Sequence, residues 1–409
     1  MFINDSAKDK KLKNNILSLS VVASAAKKKD PTVINASSGM FKNEDGILYE
    51  FSSVKKIVSS LSVSEKYSYA DSGGTENFTK AISYFIFGQY LEEVQKQCHT
   101  ACIPTPGGSG ALNLIFSNYV NPGETIFLPN NMWENYLNMC RDTGINPKTY
   151  RLFNEQGVFD MEGLIAQINE LQKTQKRILI LINDPCENPT GFCMKDEDYD
   201  RLIAISKNNP DTDFIYLMDI AYFDFYNVNP NIIRKRLSKL KDIPNNALAF
   251  YVFSGSKSFG LYGLRIGALM ALSHDEQEIE IFKNAVSFSS RSKWSSAATM
   301  GINIVENLVL NQEYLHSYQE EIKSVCAALE KRSLAFLKSA KEVGLVTLPY
   351  ERGFFVCVPV SNPQEAAKLL REDKVYLVAT RNCLRIALCS INENEAARLP
   401  YIIKNRLFK

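Results

Sequence analysis

Ser254-Gly-Ser-Lys257-Ser-Phe-Gly-Leu-Tyr-Gly-Leu-Arg265-Ile-Gly267 is the stretch on which the reading of this chain turns. Residues 248–254 just before the lysine are apolar enough to form a buried strand. A lysine placed there is costly, because apolar surroundings disfavour the ammonium and lower its pKa. The product of that cost is a neutral amine, which is what attack on an aldehyde requires. The hydroxyls of Ser254 and Ser256, with Arg265 eight positions beyond the lysine, offer charge-assisted hydrogen bonds to a phosphate.

Outward from this segment, residues 124–129, 178–183, 213–219 and 265–272 read as further strands, several of them continuously apolar as in Ile178-Leu-Ile-Leu-Ile182. Such runs suit a parallel sheet covered on both faces. Helical spacing separates them, at 111–120 and at 160–172, where Leu164, Ile165, Ile168 and Leu171 share one face. The alternation predicts an α/β fold with a mostly parallel central sheet. From about residue 295 a long helical stretch runs towards Gly344, and a second unit follows. Its strand candidates are 345–348, 353–360, 375–379 and 384–389, with helices near 363–372 and 393–406. Asn392 and Glu395 have capping-box spacing at the start of the last helix. The expected division is a large domain at 47–290, with 1–46 and 291–409 together forming a smaller one.

Composition narrows the partner. The 409 residues include 47 basic and 45 acidic ones, so no overall charge favours nucleic acid or an anionic membrane, and a small molecule is expected. No stretch reaches the ~18 apolar residues of a membrane span. Nine scattered cysteines cannot all pair, which suggests a reduced, cytoplasmic chain. Cys98, His99 and Cys102 have no companion cluster, so no metal is expected. Lys8 to Lys13 followed by Ile16 to Ala26 superficially resembles a secretory signal, but three serines interrupt the run. Ile16, Leu19, Val22, Ala23 and Ala26 instead have the spacing of one face of an amphipathic helix.

Further motifs stand upstream of the lysine in order: Gly107-Gly-Ser-Gly-Ala-Leu112, Asn188-Pro-Thr-Gly191 and Asp219-Ile-Ala-Tyr222. Together with the lysine segment they resemble the fold-type I pyridoxal-phosphate (PLP) aminotransferases of class I and II, closest to the aspartate and aromatic amino acid enzymes. The resemblance is collinear from about residue 35 to residue 390. It implies PLP held by Lys257 as a Schiff base, Asp219 on the pyridine nitrogen, and Tyr222 and Asn188 on the ring's phenolate oxygen. Gly108, Ser109 and Gly110 match the phosphate loop, where free N–H groups and the helix dipole meet the anion. Ser254, Ser256 and Arg265 match the rest of the phosphate site, and Trp133 an aromatic on the ring face.

The same resemblance implies that Arg385, in Cys383-Leu-Arg-Ile-Ala387, binds the substrate α-carboxylate beside Asn188 and Trp133. Gly39 matches a loop that closes over substrate, though Asn35-Ala-Ser-Ser-Gly39 departs from the usual form. Tyr69 matches a tyrosine that reaches the phosphate of the neighbouring subunit, implying a homodimer. Arg291 falls where the aspartate-type enzymes carry an arginine for a distal carboxylate. Here the following prolines are missing and Lys293 and Trp294 lie near, so aromatic substrates stay open beside aspartate and glutamate. The implied reaction is ping-pong transamination with a 2-oxo acid such as 2-oxoglutarate, through pyridoxamine phosphate. Lys257 then serves as the proton carrier and no histidine is needed. A PLP lyase or decarboxylase on the same scaffold is the alternative. A DNA-binding regulator does not fit about 45 residues ahead of the cofactor domain.

Overall fold

A strand such as Ile178–Ile182 has no polar face for water and must be covered on both sides. The computed structural model, which describes residues 2, 3, 7, 8, 10 and 16–408, does this within one large sheet. Among the described residues twelve strands form three sheets: β1 (Ile34–Asn35), β2 (His99–Thr105), β3 (Thr125–Pro129), β4 (Asn146–Tyr150), β5 (Arg177–Asn183), β6 (Asp213–Asp219), β7 (Ala247–Ser254), β8 (Gly267–Ser273), β9 (Phe355–Pro359), β10 (Val375–Tyr376), β11 (Val378–Ala379) and β12 (Cys383–Ala387). The seven-stranded sheet has the order β2-β8-β7-β6-β5-β3-β4. Its pairs from β4 to β7 are parallel, while β8 runs antiparallel to both β7 and β2. Successive residues point to opposite faces. Ile178, Ile180 and Ile182 therefore enter one core, and Leu179 and Leu181 the other.

Two strands of this sheet have weak sequence signals. β4, Asn146-Pro-Lys-Thr-Tyr150, is an edge strand with two exposed residues at its start, and its proline is tolerated because only β3 pairs with it. β2 holds Cys102, which is buried sheet core.

β12 pairs with β9 and β11 in a small antiparallel sheet, and β1 pairs with β10. A third core joins them: Phe336, Val356, Val358, Leu384, Ile386 and Leu399. The capping box at Asn392 and Glu395 is formed and starts the helix Glu393–Leu407.

Several expectations change. Residues 345–348 form no strand, and only Leu348 reaches β9, donating to the Cys357 carbonyl. The 375–379 segment divides at Leu377 between two sheets. The long helical stretch is two helices, Thr299–Leu310 and Gln312–Glu342, because Asn311 leaves helical geometry and caps the second, accepting from the N–H groups of Glu313 and Tyr314. Ile302, Val305 and Leu308 of the first, and Tyr318 and Val325 of the second, pack in the large core, which Phe354, Phe355, Ala387 and Cys389 also join. The helix Ile16–Lys29 forms, but Val22 is 56% exposed, Leu19 and Ala26 are half-buried and Ala23 is buried; Lys11 to Lys13 and the Ile16 side chain lie outside the described residues.

Candidate active site

The parallel strands β5, β6 and β7 end side by side at Asn183, Asp219 and Ser254, the edge where α/β sheets bind ligands. Asp219 is 5% exposed, and burial raises its carboxyl. Three groups oppose this: Tyr136 donates its hydroxyl to Oδ2 at 2.6 Å, Ala221 donates its N–H to Oδ1 at 3.1 Å, and the Lys257 charge lies near. Asn183 braces the same strand end, donating Nδ2 to the Asp219 carbonyl at 2.7 Å and accepting the Asn188 N–H at 2.8 Å. The Asn188 amide then donates to the Tyr222 hydroxyl at 3.4 Å.

Lys257 stands in the single helical turn Gly255–Ser258 that follows β7, with Nζ 5.6 Å from the centre of the Tyr222 ring. The residue is half-buried by surface area, yet its amine is enclosed by neighbours. Burial lowers it to about 8, with Asp219 pulling the other way.

The helix containing the Gly-Ser-Gly run begins at Gly107, four residues earlier than its apolar spacing indicates, so Gly108, Ser109 and Gly110 form its first turn. Their N–H groups have no partners within the helix. Gly107 has φ +68°, and a Cβ there would lie 2.4 Å from Nη2 of Arg265. That close approach lets the guanidinium sit at the helix start, where Nη1 also donates to Ser256 Oγ at 2.9 Å. The buried Ser254 ends β7 beside it. Free N–H groups, two hydroxyls and a guanidinium fit a phosphate, and the carboxylate and amine fit the ring of PLP. Trp133 is half-buried and meets the Tyr136 ring edge-on at 5.5 Å, above the same strand ends.

Arg385 enters from β12. It is 4% exposed, lies 4.3 Å from the Phe355 ring centre, and donates to Asn188 Oδ1 at 3.1 Å and to the Ser37 carbonyl at 3.2 Å. Its Nε has no partner, and among the described residues no carboxylate comes within 4 Å of its guanidinium. Gly39 borders the same ring, since a Cβ there would be 3.2 Å from Phe355 Cζ. Two predicted residues do not join this site within the chain. Tyr69 is 92% exposed, and Arg291, also exposed, donates to Ser295 Oγ at 2.6 Å.

Sequence reasoning missed Tyr136, Asn183, Ser37 and Phe355. None of the four stands in a local pattern that marks it; Tyr136 reaches Asp219 only through the packing of the helix Asn135–Thr143. Glu187, next to Asn188, was also missed; it is 1% exposed and burial pushes its carboxyl up to about 8.

The aminotransferase class I and II profile matches residues 31–400. An aromatic-amino-acid aminotransferase of Escherichia coli is 28% identical over 385 residues, covering 91% of this chain and 94% of its own length. A mitochondrial aspartate aminotransferase of Dictyostelium discoideum is 24% identical over 378 residues, covering 90% and 85%. The crystal structure of an aminotransferase from Anaerococcus prevotii superposes with a TM-score of 0.95 at 27% identity, covering all of both chains. An aspartate aminotransferase-like α/β fold with a lysine-centred site defines a fold-type I PLP enzyme. Within that class the chain belongs to aminotransferase class I and II, whose reaction exchanges an amino group between an amino acid and a 2-oxo acid.

Proposed function

We propose that this chain transfers the amino group of aspartate, glutamate or an aromatic amino acid to a 2-oxo acid such as 2-oxoglutarate. The observation behind the reading is Arg385, a buried guanidinium with an unpartnered Nε and no carboxylate of its own. Its hydrogen bonds go to an amide oxygen and a carbonyl, neither of them charged, and a buried cation is stabilised by a countercharge, which a substrate carboxylate would bring. The planar fork would orient that carboxylate, with Asn188 and Trp133 beside it. PLP, when bound, supplies an electron-withdrawing ring that accepts charge from the substrate's Cα. Lys257 would hold PLP covalently and would carry a proton at Cα, a role its lowered pKa suits at neutral pH. Asp219, whose carboxyl burial raises while Tyr136 and Ala221 donate to its oxygens, would pair with the ring nitrogen. Tyr222 and Asn188 would orient the ring oxygen. The first turn at Gly108, Ser109 and Gly110, with Ser254, Ser256 and Arg265, would anchor the phosphate.

The assembly proposed is a homodimer in which Tyr69 reaches the partner's phosphate site. Its 92% exposure, with Tyr67 and Phe288 also exposed, supports a covered surface there. Nine free, buried cysteines support a reducing, cytoplasmic setting.

A panel of 2-oxo acids under single-turnover conditions, followed by cofactor absorbance, tests the reaction. Stoichiometric conversion of one amino acid to its 2-oxo acid supports it, and carbon dioxide or an eliminated side chain as the main product sinks it. Arg291→Ala should raise the barrier for dicarboxylates by about 2–5 kcal/mol and spare neutral substrates if Arg291 reads a distal carboxylate across the interface. An equal loss on both classes would leave the aromatic reading ahead.

A further inference from the structure

Cys357 and Cys383 take no part in the chemistry above, yet they flank its substrate-binding arginine. In the β9–β12 ladder Arg385 stands directly opposite Cys357, and Cys383 is two residues before Arg385 on the same strand. All three side chains thus share one face of the small sheet. The two sulfurs are 2.9 Å apart, and both residues are fully buried. Cys357 also donates its S–H to the Pro189 carbonyl at 3.3 Å, and Thr380 Oγ1 lies 3.0 Å from the Cys383 sulfur. A disulfide bond is ~2.05 Å long, so closure needs the sulfurs to approach by less than ~1 Å, the scale of ordinary thermal displacement.

We propose that Cys357 and Cys383 form an oxidisable dithiol that hydroperoxides convert to a disulfide, and that closure weakens carboxylate binding at Arg385. The effect on substrate rests on the reading of Arg385 given above; the disulfide itself does not. Cys383 is the attacking thiol. Hydrogen bonding with Cys357, then Thr380, then the Arg385 charge hold it below its ordinary range, whereas burial pushes Cys357 well above. Access comes through the β11–β12 turn, where Arg381 and Asn382 are exposed and β11 is only two residues long, an element prone to local opening.

The Cys383 sulfur attacks a peroxide oxygen and the O–O bond breaks, leaving a sulfenic acid and an alcohol or water that takes the thiol proton. Cys357 sulfur then attacks the sulfenic sulfur, the S–O bond breaks, and the oxygen leaves as water with the Cys357 proton. Two thiols are oxidised and one peroxide is reduced. Closure ends the Cys357 bond to Pro189, whose neighbour Asn188 is an acceptor for Arg385. The arginine's support shifts as a result.

The test treats the holoenzyme with hydrogen peroxide, then with a thiol reductant, and combines peptide mass spectrometry with steady-state kinetics. A linked Cys357–Cys383 peptide is expected, with KM for amino acid and oxo acid raised about tenfold, kcat within about twofold, and full reversal by reductant. Cys357→Ser and Cys383→Ser should keep normal turnover and hold their KM in peroxide, while Cys98→Ser should respond like the parent. No linked peptide, a linked peptide with unchanged KM, or a KM rise that persists in Cys383→Ser overturns the proposal. Failure of the transamination reading would show separately, as an untreated enzyme with no turnover, and the linked peptide would still be scored.

Discussion

Lys257 must be neutral to act and is charged in water, so the fold pays for its chemistry in stability. Its amine titrates near 10.5 when unfolded and near 8 when folded and free of cofactor. Between those values the unfolded chain binds more protons, and stability rises with pH across that window. Cofactor-free Lys257→Met should therefore melt above the parent below pH 8, with the gap closing from about pH 8 to about pH 10.5. A gap constant with pH in calorimetry would refute the buried-amine account. Asp219 is the second test at this scale. Asp219→Asn should slow proton transfer by ~10²-fold or more in stopped-flow absorbance while Asp219→Glu keeps more activity; equal, mild losses would reject an electronic role. These residues are legible in the sequence because each sits in a short local pattern: strand end, turn or lone lysine. Tyr136 is not, since its value to Asp219 arises only when the helix Asn135–Thr143 is laid against the end of β6.

At the scale of elements, β7, β8 and the start of the helix Gly107–Tyr119 meet with no room for a side chain. A Cβ on Gly267 would lie 2.5 Å from the Gly107 carbonyl carbon and 2.7 Å from the Phe253 oxygen, both backbone atoms that cannot step aside. Gly267→Ala should cost about 3 kcal/mol in urea denaturation and loosen cofactor binding with it, because the phosphate turn must move. Gly263→Ala, with nothing within 4 Å of its Cβ, should change stability by less than ~0.5 kcal/mol. The sequence discloses elements in proportion to their apolarity. β5, β6 and β7 stand out because they are buried on both faces, whereas β4 is hidden by its polar edge residues and the break at Asn311 by the apolar spacing that continues past it.

At the scale of the whole molecule the site is built from the seven-stranded sheet and the β11-β12-β9 sheet, and the proposed dimer adds a third contributor. Subunits of Tyr69→Phe and Lys257→Ala, each of low activity alone, should regain about a quarter of parental activity when unfolded, mixed and refolded together, since half the dimers would hold one intact site of two. Additive residual activity would place Tyr69 outside the partner's site. Within one chain the helix Gln312–Glu342 joins the two regions. Tyr318 near its start donates to the carbonyl of Ser258, beside Lys257, and Phe336 near its end belongs to the core behind Arg385. Because each helical residue adds ~1.5 Å and ~100° of turn, the helix fixes a phase as well as a span. One residue inserted between Tyr318 and Phe336 would swing Phe336 out of its core while leaving every catalytic side chain unaltered, so the length of this helix is as much a part of the site's specification as the lysine.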